Sequence, residues 1–331
     1  MKIVACSVFA YRLPLKSHLD LDYREGWLVR LRAADGAEGW GDVAPLPGFS
    51  GEDAATAGCQ LLEHAPSLPS ALDRSDLCSS VRFGLESAMA ALSPSSAVRP
   101  CRLNALVSGP VETCMQDAYR AVQSGFTAIK LKVGRDPVAQ DIERIRQVSS
   151  VLPSSVLLRL DANQAWSLPT ALEVARGIAG IPFSYIEEPL ADPTQLPELY
   201  AKTRWPLALD ESLQPNSPLS QSPNLLFLPG LAACVLKPML IGGWASTIDW
   251  MRRAREAGVQ AVISSSFESG VGIRALAELA ARQPEVPAGL DTYRALAADV
   301  LEPRLDMSGG LLDLEVARRS RVNTDNLTQL L

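Results

Sequence analysis

From residue 103 onward the chain repeats one unit: a short apolar segment of strand length, then ten or more residues of helical periodicity, then another apolar segment, up to about residue 291. Such alternation specifies parallel strands joined by crossover helices. Eight apolar segments can be counted, at 104–107, 128–133, 156–160, 184–187, 207–209, 233–236, 261–264 and 286–290, with helical spacing at 112–124, 137–151, 169–178, 245–257 and 273–282. Eight steps in one unbroken run favour a closed (β/α)8 TIM barrel. A doubly wound open sheet shares the alternation but predicts a Gly-rich turn after its first strand, and Val107-Ser-Gly-Pro110 is not one.

The first hundred residues have another character. Alternating segments at 3–11 and 27–32, a turn through Gly36 and Gly41, and helical patterns at 52–64 and 79–91 predict an α+β module. A Pro- and Ser-rich stretch at 92–100 reads as the linker. The expected organisation is an α+β capping domain over 1–100, with 300–331 packing back on it, and a barrel over 101–299. A length of 331 residues suits a barrel of about 250 plus a smaller module.

Composition narrows the function. With 47% hydrophobic and 21% charged residues the chain can build a large core, and a net charge of -6 without a basic run gives no footprint for nucleic acid or an anionic membrane. The N-terminus lacks a signal-peptide pattern and no apolar stretch approaches 18 residues, so the expected location is the cytoplasm. The six cysteines form no CxxC pair and no Cys/His cluster, which points to reduced, mostly buried thiols. The expected partner is a small-molecule carboxylate, with neither nucleic acid nor membrane.

Polar residues at the C-terminal ends of barrel strands are where catalytic groups sit. Strand two carries Lys130 and Lys132, two residues apart and therefore on one face; because Ile129, Leu131 and Val133 must pack under the helices, both lysines turn inward. Taken alone, a KxK string is more often a solvated pair. Two inward ammonium groups repel, which lowers the pKa of at least one. Strands three, four and five end in Asp161, Glu187 and Asp210, 26 and 23 residues apart. Any one of them could be a surface acid or a helix cap, but three converging carboxylates call for a hard divalent cation, Mg2+ with Mn2+ as a possible substitute. Strand six brings Lys237 to the opposite side. A cation between two amines suits proton abstraction beside a carboxylate.

The strings Lys-Leu-Lys at 130–132, Leu-Asp-Ala-Asn at 160–163, Ile-Glu-Glu-Pro at 186–189, Leu-Asp-Glu-Ser at 209–212 and Leu-Lys-Pro at 236–238 resemble, in order, the enolase superfamily in its muconate-lactonizing subgroup. The stretches 45–50, 80–86, 261–269 and 287–292 further resemble the o-succinylbenzoate synthases of bacterial menaquinone biosynthesis. That resemblance implies dehydration of 2-succinyl-6-hydroxy-2,4-cyclohexadiene-1-carboxylate to o-succinylbenzoate. It implies Lys132 as the base that removes the α-proton and returns it to the departing hydroxyl, and Lys237 as a cation over the forming ring. Asn163 and Glu211 would orient the metal ligands, while Ser264, Ser265 and the backbone near Gly289 would receive the succinyl tail. Lys130 is expected at the substrate. Arg159, two residues before Asp161, could meet a substrate carboxylate or form a structural ion pair deeper in the barrel. Cap loops at 19–26 and 47–50 are expected to close over the site.

Other readings stay open. The same lysine pair could serve N-succinylamino acid racemization or a related epimerization. A dipeptide epimerase would usually show Asp-x-Asp where this chain has Leu290-Asp-Thr-Tyr293, and a mandelate-type racemase needs a barrel histidine, whereas His18 and His64 fall in the first module. A Schiff-base lyase would have no need of three acids, and a purely binding barrel no need of this set of ionizable groups.

Overall fold

The computed structural model describes residues 2–16, 21–93 and 99–331; His18, the start of the 19–26 loop and most of the linker lie outside them. The chain opens with strands β1 (Ile3–Pro14), β2 (Tyr23–Ala33) and β3 (Glu38–Val43), then helices α1 (Ala54–His64) and α2 (Ser79–Ala91). Gly41 was expected in a turn but lies inside β3. A Cβ there would come within 1.9 Å of the Gly84 carbonyl oxygen, so the glycine pair lets α2 press directly on the strand.

After β4 (Cys101–Arg102) the alternating region begins: β5 (Ala105–Val107), α3 (Val111–Gln123), β6 (Ala128–Lys132), α4 (Val138–Val151), β7 (Leu157–Asp161), α5 (Leu168–Gly177), β8 (Tyr185–Glu187), α6 (Leu196–Thr203), β9 (Leu207–Leu209), β10 (Leu231–Leu236), α7 (Gly243–Glu256), β11 (Gln260–Ile263) and α8 (Gly270–Ala280). Strands β5 to β11 form a seven-stranded parallel sheet in sequence order. Residues expected as the eighth strand do not form a regular one, because Pro287 has no N–H to give the ladder. They still close the ring through single parallel bridges, Leu103 to Ala288 on one side and Ser264 to Gly289 on the other. The fold is a modified (β/α)8 barrel with a capping domain.

The fifth step also departs from expectation. Between β9 and β10 the chain makes only 3-10 turns, Glu211–Leu213 and Leu225–Phe227, where Pro215, Pro218, Pro223 and Pro229 interrupt any helix.

Strand alternation partitions the core. Ile129, Leu131 and Val133 join the large apolar cluster shared with the outer helices, whereas Tyr185, Ala208, Ala233, Val235, Val262 and Val286 form a separate cluster. The period-2 geometry puts that second set on the inward face, beneath the acids. The cap sheet also buries both faces. Val8, Val29 and Leu31 pack with α1 and α2, while Phe9, Tyr11, Leu13 and Leu28 belong to the barrel's cluster. The tail supplies β12 (Leu301–Glu302), β13 (Leu311–Leu312), α9 (Leu314–Ala317), β14 (Arg321–Val322) and β15 (Thr328–Gln329). Of these, β13 pairs with β4, and β15 extends the cap sheet along β1. Among the described residues no helix is long and apolar enough to cross a membrane.

Candidate active site

Register sets the site. In the parallel ladder Lys130 pairs with Arg159 and Lys132 with Asp161, and in the next ladder Asp161 pairs with Glu187. Paired residues on adjacent parallel strands point to the same side, so both lysines and the first two acids share the inward face near the strand ends. Asp161 and Glu187 are fully buried and Asp210 is 3% exposed.

The charges interlock. The Lys130 ammonium lies 2.7 Å from both Asp161 Oδ2 and Glu187 Oε1. Lys132 donates to Asp161 Oδ2 and to Asn163 Oδ1, each at 2.6 Å. Lys237 donates to Asp210 Oδ2. Among the described residues no three acidic, His or Cys side chains already converge as a coordination shell. Instead, the lysines bridge the acids, and Lys130, expected at the substrate, contacts two of the three expected metal ligands.

The donor set nevertheless fits a hard cation. Glu187 Oε2 is buried without a hydrogen-bond partner among the described residues. Burial first, then the charges of Asp161 and Asp210, push the Glu187 carboxyl well above the usual range despite Lys130 and Lys132. A carboxylate short of positive charge, beside two others and with a spare oxygen, is the environment a divalent ion relieves.

The lysines diverge. Burial opposes the ammonium of Lys132, and with Lys130 as a like-charged neighbour its pKa falls below the ordinary lysine value although Asp161 pulls the other way. Burial also opposes Lys237, but Asp210 and Glu211 outweigh it and the pKa rises. Lys130 is likewise raised, burial being overcome by Asp161, Glu187 and Asp210.

Asn163 links the two sides: it accepts from Lys132 and donates Nδ2 to Glu211 Oε1 at 2.9 Å, while its backbone N–H donates to Asp161 Oδ1 at 3.1 Å. The two expected tail-binding serines meet at Gly289, whose carbonyl oxygen accepts from Ser264 Oγ at 3.2 Å and Ser265 Oγ at 3.1 Å. A Cβ at Gly289 would come within 2.9 Å of Ser264 Oγ, so a larger residue would have to turn that hydroxyl aside. Arg159 is buried below the mouth, donating Nη1 to Asn104 Oδ1 at 2.9 Å and to the Pro287 carbonyl at 2.8 Å, with its guanidinium 5.3 Å from the Tyr185 ring centre. Its hydrogen-bond partners are an amide and a carbonyl, not the acid of the expected ion pair, and Nε and Nη2 have no partner among the described residues. His64 lies in α1, and the 47–50 turn is fastened by Leu46 N–H donating to Ser50 Oγ at 2.8 Å.

Sequence reasoning missed Glu188. Its Oε1 accepts from the Asp210 and Ser212 N–H groups, both at 2.8 Å, and its Oε2 from Ser212 Oγ at 2.8 Å and Gln164 Nε2 at 2.9 Å. One buried acid thus ties together the loops after three strands. Asn163, Gln164 and Glu188 all take left-handed backbone conformations, with φ of 43°, 59° and 42°. Such strain persists only where surroundings over-determine it, as at functional sites. The only sequence signal was the Glu187-Glu188 doublet, whose second member must face away from the first.

A second missed network joins cap to barrel. Arg24 of β2 donates to the carbonyls of Pro45, at 2.8 Å, and of Phe267, at 3.2 Å. Asp42 of β3 accepts from Tyr11 Oη at 2.9 Å and from Ser269 N and Oγ at 2.9 and 2.8 Å. The serine-bearing loop after β11 is thereby pinned to the cap.

Comparison with known proteins agrees with this fold. An enolase C-terminal domain-like family model matches residues 114–317, and the MenC N-terminal domain model matches residues 3–92. The o-succinylbenzoate synthase of Pasteurella multocida is 32% identical over 329 residues, covering 93% of this chain and 95% of its own. That of Edwardsiella ictaluri is 34% identical over 312 residues, covering 89% and 92%. Among solved structures, the L-Ala-D/L-Glu epimerase of Bacillus subtilis superposes with a TM-score of 0.81 at 23% identity, covering both chains completely, which speaks for the fold alone. A mandelate racemase/muconate lactonizing enzyme from Roseiflexus sp. gives 0.81 at 25% identity over 97% of this chain and 98% of its own. Enzymes of this superfamily use a divalent metal. The chain belongs to the enolase superfamily and, within it, to the family of the o-succinylbenzoate synthases.

Proposed function

We infer that this chain is an o-succinylbenzoate synthase, a hydro-lyase that removes water from 2-succinyl-6-hydroxy-2,4-cyclohexadiene-1-carboxylate and leaves the aromatic product. The observation that carries the reading is the placement of Lys132 and Lys237 on different carboxylates of one buried mouth, Asp161 and Asp210, in a chain of which relatives of that name cover 93% and 89%.

Asp161, Glu187 and Asp210 would hold the divalent cation, with Mg2+ the proposed ion and Mn2+ a substitute. When bound, it supplies positive charge against the substrate carboxylate, where negative charge gathers as the α-proton leaves. A cation held there would compete with Lys130 and Lys132 for Asp161 Oδ2, and Lys132 would then be free for the substrate. Neutral Lys132 takes the α-proton at Nζ and delivers the same proton to the departing hydroxyl as water forms, so no net proton is exchanged. Lys237, held as a cation, faces the ring from the other side. Asn163 orients the Lys132 amine. Ser264, Ser265 and the Gly289 backbone receive the succinyl tail, and the 47–50 turn helps to exclude water.

The alternative, racemization of an N-succinylamino acid, would use the same two lysines on opposite faces of one carbon. The test is the absorbance decay of the cyclohexadiene carboxylate with purified protein and Mg2+, beside an EDTA-treated sample. Metal-dependent loss of absorbance supports the synthase. No turnover by folded, metal-loaded protein, together with deuterium exchange into N-succinylamino acids, would transfer the reading to racemization.

A further inference from the structure

Outside the mouth, a cavity of about 1040 Å³ lies along the seam of cap and barrel, walled by β2, β3 and α2 on one side and by α7, α8 and the C-terminal segment on the other. Its size is that of a small-molecule site. It shares no residue with the constellation described above, and its charge is opposite to that of the whole. In a chain of net charge -6, this lining holds six arginines, at positions 30, 99, 274, 282, 318 and 321, against two acids. Both acids are already engaged: Glu38 pairs at 3.3 Å with Arg32, which is not part of the lining, and Glu278 takes Arg318 through two contacts at 2.7 and 2.8 Å.

The arginines form two tiers. Arg30, Arg274 and Arg318 are half-buried, while Arg99, Arg282 and Arg321 are exposed at the rim. Arg318 is committed to Glu278, while Arg30 and Arg274 are held in place by other neighbours. Arg30 stacks 5.2 Å from the Phe9 ring centre and 5.6 Å from that of Trp40. Arg274 Nη1 donates to the Ser320 carbonyl at 3.1 Å, and burial lowers its pKa, Glu278 opposing that shift and Arg318 adding to it. A guanidinium has five N–H donors in a planar fork that matches an oxyanion. The remaining walls include Trp40 and Trp244, from opposite sides of the seam. Rings on the walls, anchored inner guanidiniums and exposed ones at the rim suit a ligand with a flat body and more than one negative group.

We propose that this seam cavity is a second ligand site, built for a small aromatic anion carrying at least two oxyanion groups. Phosphates on a heteroaromatic ring and carboxylates on a benzene ring share that chemistry. An occupant would bridge Arg30 of the cap to Arg274 of the barrel and so favour the docked arrangement of the two.

The test uses the full chain in metal-free buffer at 0.15 M salt, with ADP and benzene-1,3,5-tricarboxylate as probes and calorimetry as readout. Adenosine and pyrophosphate serve as the ring-only and charge-only controls. We expect one probe or the other to bind with a Kd below 1 mM, the arm that binds identifying phosphate or carboxylate as the preferred group. Arg30→Gln, and the rim variant Arg282→Glu, which carries no folding risk from burial, should each weaken binding about 10-fold or more, the loss of one charge-assisted pair. Binding should be unchanged in Lys132→Ala, a substitution at the mouth that touches no residue of the cavity lining. Failure of both probes, equal binding by pyrophosphate, unchanged affinity in both variants or loss of binding in Lys132→Ala would each overturn the proposal. So would a chain found as a dimer that Arg282→Glu dissociates, since a second copy would then be the occupant.

Discussion

The two sides of the barrel mouth carry the same residue types and differ in how many charges each amine shares. On the β6–β7 side, Lys132 lies next but one to Lys130 on the same strand, and both ammonium groups reach Asp161 Oδ2. On the β9–β10 side, Lys237 is the one lysine among the described residues in contact with Asp210, and Glu211 adds negative charge. Crowding two ammonium groups onto one carboxylate favours losing a proton from one of them; a private carboxylate favours keeping it. The difference teaches that neighbours alone can shift two identical side chains in opposite directions, as the proposed roles of base and fixed cation need.

Several experiments would break or sharpen that contrast. The largest expected effect is Lys132→Ala, which should lower kcat by about 10³-fold or more, the range of a positioned general base. A loss under tenfold in single-turnover kinetics would move the base elsewhere. Removing the metal with EDTA, or changing Glu187 to Gln, should cost nearly as much, and Mn2+ should restore the EDTA-treated protein but not the variant. Restoration of both would argue that Glu187 is no ligand. Glu188→Gln lies one step back from either lysine. It should weaken metal affinity about 10- to 100-fold, as loss of a group that orients a ligand does, while the fold persists by circular dichroism. An unchanged metal titration would reduce Glu188 to a loop fastener.

The smallest effect lies away from the mouth. Burial raises the Asp42 carboxyl to about 6 from 3.8, although Ser269 and Tyr11 donate to it. Its folded form therefore holds a proton that the unfolded chain has released between those pH values. Stability contributed at Asp42 is greatest below about pH 4 and falls as pH rises through 6, by about 3 kcal/mol at most. Urea unfolding of the parent and Asp42→Asn between pH 4 and 7 should show the parent losing ground as pH rises; a constant difference would contradict the assignment.

How much of this was written in the chain can be judged residue by residue. The inward turn of Lys130 and Lys132 followed from the apolar residues between them, because a strand's period of two leaves no other choice. Asp161, Glu187 and Asp210 were legible because each ends an apolar run at intervals of one barrel unit. The eighth strand and the fifth crossover were less so: Pro287 and the four prolines between Asp210 and Leu231 replace a ladder and a helix with isolated bridges and 3-10 turns. What remained hidden is non-local. The Arg24 contact to Phe267 joins residues 243 apart, and the Glu188 bonds to Asp210 and Ser212 depend on a left-handed turn at Glu188 itself. No pattern of neighbours in sequence encodes those partners.

The contrast between the lysines meets its most direct test in a pair of arginine substitutions, Lys132→Arg and Lys237→Arg, assayed with Mg2+ on the cyclohexadiene carboxylate. Arginine keeps the charge but does not release its proton near neutral pH. Undetectable turnover in Lys132→Arg, with Lys237→Arg within about 100-fold of the parent enzyme, is the predicted result; equal loss in both, or survival of Lys132→Arg, would contradict the division of labour between base and cation.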